Sequence, residues 1–179
     1  KKEDGKFIIV DIKFEIALYN FCEAANKMYP YNTRNSLTMM EEETNLERAN
    51  DIADRILKQN EAYFAPYSVK SKYAYTIGDF AAVIENKTAA IERYPFKYSE
   101  YKEFCVMLIN GVAAFTRQND TESVEVCNSY ILSTYEKFER NKDRLSDLGS
   151  KITEQPNFDF SKNVTEYVNK LKEEQVKNN

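Results

Sequence analysis

A short segment of the chain is repeated, and the spacing of its copies limits the possible fold more than any other feature. Ala24–Tyr31 (AANKMYPY) recurs as Ala89–Phe96 (AAIERYPF), at an offset of 65 residues. Between them, Ala49–Glu61 has the same spacing of small and apolar residues, with glutamate where the other copies have proline. Successive copies are therefore about one helical hairpin apart, and we expect a stack of such hairpins, because one hairpin alone cannot bury its apolar faces.

The clearest hairpin is predicted from its turn residues. Tyr63–Tyr75 forms a first helix, Gly78–Asp79 the turn, and Phe80–Arg93 a second helix that Pro95 stops. Glycine suits the left-handed conformation that ends a helix, aspartate accepts a backbone N–H at the start of the next, and proline cannot continue a helix.

Further helices are predicted on both sides of this hairpin. Thr44–Glu47 (TNLE) fits a capping box that opens a helix running to about Gln59. Only four glycines and four prolines occur in 179 residues, which favours long helices over a turn-rich β fold. Three later helices follow from apolar spacing. The first is Tyr98–Arg117, whose apolar face carries Tyr101, Phe104, Cys105, Leu108, Val112 and Phe115. The second extends to Gly149 and carries Val124, Cys127, Ile131, Thr134, Phe138, Leu145 and Leu148. The last is capped by Ser161 and carries Val164, Tyr167, Val168 and Leu171.

Composition excludes several classes of function. The chain has no histidine, so Ser-His-Asp and Cys-His catalysis is impossible, and the commonest metal ligand is missing. Cys22, Cys105 and Cys127 are widely spaced among apolar residues, which favours inert core packing over a redox or zinc site. With 29 acidic and 25 basic residues mixed along the chain, nucleic acid is not an expected partner. We expect no cofactor, no metal and no catalytic residue.

Two local patterns leave alternatives open. The carboxylate run Glu41–Glu43 could bind a cation, but a solvated loop before a helix is the simpler interpretation. The thirteen tyrosines are expected to pack between helices, whereas the functional alternative is a groove that stacks on a peptide or on sugar rings.

The hairpin resembles the tetratricopeptide repeat, whose unit has an early aromatic residue, a Gly-Asp-aromatic turn, paired small and apolar positions and a closing proline. Lys70, Ser71 and Val83 depart from the usual pattern. The resemblance implies an all-α, right-handed stack of about seven to nine helices with a concave binding groove. The resemblance rests on the order of Tyr67, Gly78-Asp79-Phe80, Val83-Ile84, Ala90-Ile91 and Pro95 along the chain.

The same resemblance identifies candidate groove residues, because ligands of such stacks lie along the first helix of each pair. Whether Val106 and Ile109 form an exposed apolar patch or belong to the core is left open by the sequence. The candidates are Ala65, Ser68, Lys72, Tyr75 and Thr76 in one unit, and Lys102, Val106, Ile109 and Asn110 in the next.

The overall layout resembles the soluble C-terminal region of bacterial O-antigen ligase and polymerase-type membrane proteins. That resemblance implies a parent protein in the bacterial cell membrane that handles lipid-linked glycans, with any transfer chemistry outside this chain; the side of the membrane stays open. The absence of an initiator methionine also suggests a piece of a longer chain. The markers are the segment Tyr29–Thr33, the helix end Ile56–Asn60, the turn Gly78–Asp79, and the tail Asp143–Ile152 followed by Gln155–Pro156.

The chain is expected to have four parts and one preferred function. Residues 1–10 are expected to be a linker, 11–97 tetratricopeptide-like repeats, 98–152 a long helical hairpin, and 153–179 a capping segment and helix. No stretch is long and apolar enough to span a membrane. We expect a non-catalytic interaction or scaffolding domain with a protein or peptide partner. The alternatives are a glycan-binding module that uses groove tyrosines on a polysaccharide, a free-standing helical-repeat adaptor, and an enzyme, which would need a deep polar pocket.

Overall fold

The computed structural model describes residues 17–28, 31–145 and 162–177, and all regular secondary structure in these ranges is α-helix. This confirms the all-α class, and the eight helices of the described ranges lie within the expected seven to nine. The helices are α1 (described over residues 17–27), α2 (Tyr31–Glu42), α3 (Leu46–Leu57), α4 (Phe64–Ile77), α5 (Phe80–Arg93), α6 (Tyr98–Gln118), α7 (Thr121–Leu145) and α8 (Lys162–Lys177).

From α2 onward, each helix packs against the next one in the chain, and the hairpins α4–α5 and α6–α7 are the most extensive contacts. Helix α2 also contacts α4, and α6 contacts α8. Neighbouring hairpins therefore share faces in chain order, which is the arrangement of a helical stack.

The α4–α5 turn forms as its residues predict. Gly78 has φ 77°, in the left-handed region, and its amide ends α4 by donating to the Ala74 and Tyr75 carbonyls. The Asp79 carboxylate accepts the Ala82 amide at 3.0 Å and caps α5, which ends at Arg93 just before Tyr94–Pro95.

The predicted start of α3 needs a correction. The capping residue is Asn45, not Thr44: its side-chain oxygen accepts the Arg48 amide at 3.1 Å, and the Glu43 carboxylate in turn accepts the Asn45 amide at 2.9 Å. Asparagine caps at least as well as threonine, so the helix begins one residue later than a capping box would place it. It ends at Leu57.

Helix α1 supplies the cap that α4 lacks locally. Tyr63, which precedes α4, makes no side-chain cap, and the Phe64 amide donates instead to the Asn26 side-chain oxygen of α1 at 2.9 Å. Tyr19 adds an edge-on contact to Phe96, with ring centroids 5.3 Å apart. These contacts hold α1 against the start of α4 and the α5–α6 connection.

The main core is rich in aromatic residues, lies along α4 to α8 and includes Cys22 of α1. Tyr98, Tyr101 and Phe138 pack around one another at centroid distances of 5.3 to 6.1 Å. Tyr101, Phe104, Cys105 and Leu108 are buried, as the apolar spacing of α6 predicts, with Val112 and Phe115 half-buried. The predicted α7 and α8 faces are confirmed by buried Cys127, Ile131, Thr134, Phe138, Val164 and Val168. Leu148, Gly149 and Ser161 lie outside the described residues.

Helices α5 and α6 approach closely at a glycine. A β-carbon on Gly111 would lie 2.6 Å from Cε1 of Phe80, whose ring also packs edge-on against Phe115. Glycine at this position therefore sets the spacing between the two hairpins.

Candidate functional site

Two neighbouring pockets share part of their lining, and we refer to them together as the inner groove. Its first compartment, about 530 Å³, lies between α1, α2 and the start of α4. Its second, about 400 Å³, lies between α2, α3, α4 and the start of α6. The two compartments share Glu41, Phe64, Ala65 and Lys97.

A buried ionic cluster forms the wall of the second compartment. Lys87 of α5 is 0 % exposed, and its ammonium lies 2.5 Å from a Glu100 carboxylate oxygen and 2.8 Å from one of Glu103. The Ser68 hydroxyl lies 2.9 and 3.0 Å from the two oxygens of the Glu100 carboxylate, to which it donates. Burial of a charge is costly unless it is paired and hydrogen-bonded, and here the pairing ties α4, α5 and α6 together.

The surroundings of Glu103 favour its charged form. Burial on its own raises the pKa of Glu103, but the adjacent Lys87 ammonium, with smaller effects from Lys72 and Lys97, outweighs it and lowers that pKa below its ordinary value. Lys72 lies 3.8 Å from the same carboxylate. The wall of the groove is therefore a fixed array of paired charges.

The structure brings three predicted residues of α4 to this groove. Ala65, Ser68 and Lys72 line the second compartment. Ser68 is buried and committed to Glu100, so it shapes the wall, whereas Lys72 is exposed at the rim. Tyr75 continues this side of α4, and Thr76 is exposed with its hydroxyl donating to the Tyr73 carbonyl.

The predicted residues of α6 divide between two faces. Asn110 donates to the Tyr75 hydroxyl at 2.8 Å, so these two predicted residues do meet. Helical geometry places Lys102 and Ile109 about 100° around α6 from Glu103 and Asn110, whereas Val106, three residues after Glu103 and four before Asn110, lies on the same side as those two. Val106 is 39 % exposed, while Ile109 is half-buried against the core, which answers the question that the sequence left open. A binding role for these three stays a prediction.

The aromatic rings along the groove are engaged in packing. Phe64 stacks on Tyr94 at a centroid distance of 5.1 Å, and the Lys97 ammonium lies 5.3 Å from the Phe64 ring centre. Tyr63 and Tyr94 are buried. The rims carry lysine, arginine and glutamate side chains instead of open aromatic platforms.

Sequence reasoning missed Lys87, Glu100, Glu103 and Lys97. One signal was present: Lys87 falls in the stripe that holds buried Val83 and Ala90, at helical gaps of four and three. A lysine in such a stripe must find a buried partner, although the sequence does not show which carboxylate provides it.

The structure also shows where the cysteines and the carboxylate run lie. Cys22, Cys105 and Cys127 are buried free thiols, as expected, and burial raises the pKa of Cys22 to about 11 and that of Cys105 to about 12.

Glu41 and Glu42 end α2, and Glu43 holds the start of α3. Across residues 17–28, 31–145 and 162–177, no group of three or more acidic or cysteine side chains could hold a metal ion.

No protein-family model, curated protein or solved structure matches this chain. Within the described part, no helix combines the length and apolar character needed to cross a membrane.

Proposed function

We propose that this chain is a protein-interaction module and that its inner groove binds a peptide segment of a partner protein. The observation that carries the proposal is the pair of neighbouring pockets between α1, α2, α4 and α6, which share part of their lining and have one wall held by the buried Lys87 cluster. A preformed wall lowers the entropic cost of ordering the site when a ligand binds.

The lining chemistry supports a peptide over a glycan. A sugar site would present aromatic faces ringed by amides and carboxylates, whereas Phe64 and Tyr94 stack on each other here. The half-buried Ala65 leaves room for a backbone to approach, and exposed Lys72 and Glu41 offer charges of both signs to side chains. A polar rim over a partly apolar floor is typical of protein interfaces.

The proposal treats this region as non-catalytic. The two carboxylates in the groove wall, Glu100 and Glu103, lie within hydrogen-bond distance of one ammonium. The lowered pKa of Glu103 suits a permanent ion pair and not a proton donor near neutral pH.

The test begins with a display library, from which peptides that bind the purified chain are selected. The affinities of the selected peptides are then measured by calorimetry. Lys72→Glu combined with Lys97→Glu reverses two charges of the groove and should weaken binding at least about tenfold, because each lost pair becomes a repulsion. The matched control combines Lys102→Glu, on another face of α6, with Lys137→Glu, at an exposed site on α7, so that the net charge changes equally, and it should leave the affinity within about twofold. Failure to select any peptide, or an equal loss in the control, would contradict the proposal.

We also propose, on the resemblance of its residues alone, that the parent is a bacterial membrane protein of O-antigen-type polysaccharide ligation or polymerisation. The residues that precede Lys1 in the full-length protein test this directly. Several apolar segments of about 20 residues each would support it, and their absence would favour a free-standing helical-repeat adaptor.

A further inference from the structure

A second groove lies between α7 and α8, and we refer to it as the C-terminal groove. Its volume is about 630 Å³, and none of its described lining residues also lines the inner groove. Leu132 of α7 and Leu171 of α8 are half-buried at the edge of the main core and face this space, so part of its lining is apolar.

The polar lining of the C-terminal groove is acidic. Glu125 and Glu136 of α7 and Glu174 of α8 line it and are exposed, and among the described residues no lysine or arginine lines it. Within the described ranges, these three carboxylates have no ion-pair or hydrogen-bond partner, in contrast to the paired acids of the inner groove.

The position of Glu174 is supported by its effect on a neighbour. The Tyr167 hydroxyl donates to the Asn128 side chain at 2.8 Å, and Asn128 lines the groove. The pKa of Tyr167 is raised, first by burial and then by the negative charge of Glu174. The carboxylate of Glu174 therefore acts on the same space between α7 and α8.

The arrangement does not suit a metal ion. Glu125 and Glu136 are eleven residues apart on one helix, a distance of about 16 Å, and the described residues form no cluster that could hold a metal. The same 16 Å is about three turns of a second helix laid along the groove, whose basic side chains could reach carboxylates spaced in this way.

We propose that the C-terminal groove docks a basic amphipathic helix of a partner protein. Leucine-like side chains of that helix contact Leu132 and Leu171, and its lysines or arginines pair with Glu125, Glu136 and Glu174. Charge complementarity selects this partner, since three unpaired carboxylates beside an apolar floor attract cationic side chains and repel acidic ones.

The test uses two short synthetic amphipathic helices with the same leucine stripe, one flanked by lysines and the other by glutamates. We expect the lysine peptide to bind the full chain, and to bind more weakly as salt is raised, while the glutamate peptide does not bind. Replacing Glu125, Glu136 and Glu174 together by glutamine should weaken binding of the lysine peptide about tenfold, in line with three exposed pairs.

The matched control replaces Glu85, Glu92 and Glu173 by glutamine. These three are exposed and lie outside the groove lining, and their replacement changes the net charge equally. Affinity close to that of the unmodified chain is expected. An equal loss in both triple variants, equal binding of the two peptides, or no binding of the lysine peptide would each overturn the proposal. Circular dichroism of each variant verifies that the helices are intact.

Discussion

At the scale of single residues, Lys87 connects the fold to the inner groove. Its ammonium is buried against Glu100 and Glu103, so removal of its charge leaves a buried carboxylate without its partner. Lys87→Met should lower the free energy of unfolding by about 3 to 5 kcal/mol. Lys70→Met removes a surface ion pair with Asp54 and should cost at most about 1 kcal/mol. Urea denaturation of the two variants measures this, and equal costs would contradict a structural role for the cluster.

The same cluster gives the stability a dependence on pH. The pKa of Glu103 is lower in the folded chain than its ordinary value of 4.5, so the unfolded chain binds the proton more tightly. The contribution of Glu103 is therefore fully present above about pH 4.5 and is lost as the pH falls through the lower, folded pKa. In Glu103→Gln, the free energy of unfolding should fall less steeply below pH 4.5 than in the unmodified chain. An unchanged slope would contradict this assignment.

The thiols provide a second residue-scale prediction. Burial raises the pKa of all three cysteines, and Cys105 reaches about 12, so little reactive thiolate forms at pH 8. In the folded chain, Cys105 should react with iodoacetamide far more slowly than in urea, as followed by mass spectrometry. Fast labelling of Cys105 without denaturant would show that the α6–α7 core is open.

At the scale of elements, α1 and α4 depend on each other through Asn26. Asn26→Ala removes the cap from the Phe64 amide and should lower the free energy of unfolding by about 1 kcal/mol. Asn20→Ala, at an exposed site on the same helix, is the control and should be nearly neutral. Thermal denaturation compares the two variants. A cost no greater than that of Asn20→Ala would mean that α1 does not cap α4.

Elements encoded by neighbouring residues could be predicted from the sequence, while their relative orientation could not. Gly78 and Asp79 specify the α4–α5 turn by their own backbone and side-chain preferences, and the structure has the turn there. The rotation of α6 relative to α4 depends on how both pack against α5, including the close approach at Gly111. Apolar spacing identifies the buried side of α6 but does not show which neighbouring face meets α4, so Lys102 and Ile109 were grouped with Asn110.

At the scale of the whole molecule, the grooves were the part least accessible to sequence reasoning. The pairs that define the inner groove join residues 13 and 32 positions apart, Lys87 with Glu100 and Ser68 with Glu100. Such pairings depend on how successive hairpins stack, and no local pattern encodes them. The stack itself was predictable, because the repeat is visible in the amino-acid sequence.

The most direct test of peptide binding is the position of a bound peptide along the inner groove. Alanine methyl NMR provides it without altering the chain, because Ala49 and Ala65 line the groove while Ala81 and Ala113 are exposed elsewhere. Addition of a display-selected peptide should shift the methyl signals of Ala49 and Ala65 and leave those of Ala81 and Ala113 in place. Shifts confined to Ala81 and Ala113 would place the partner outside the inner groove and contradict the account.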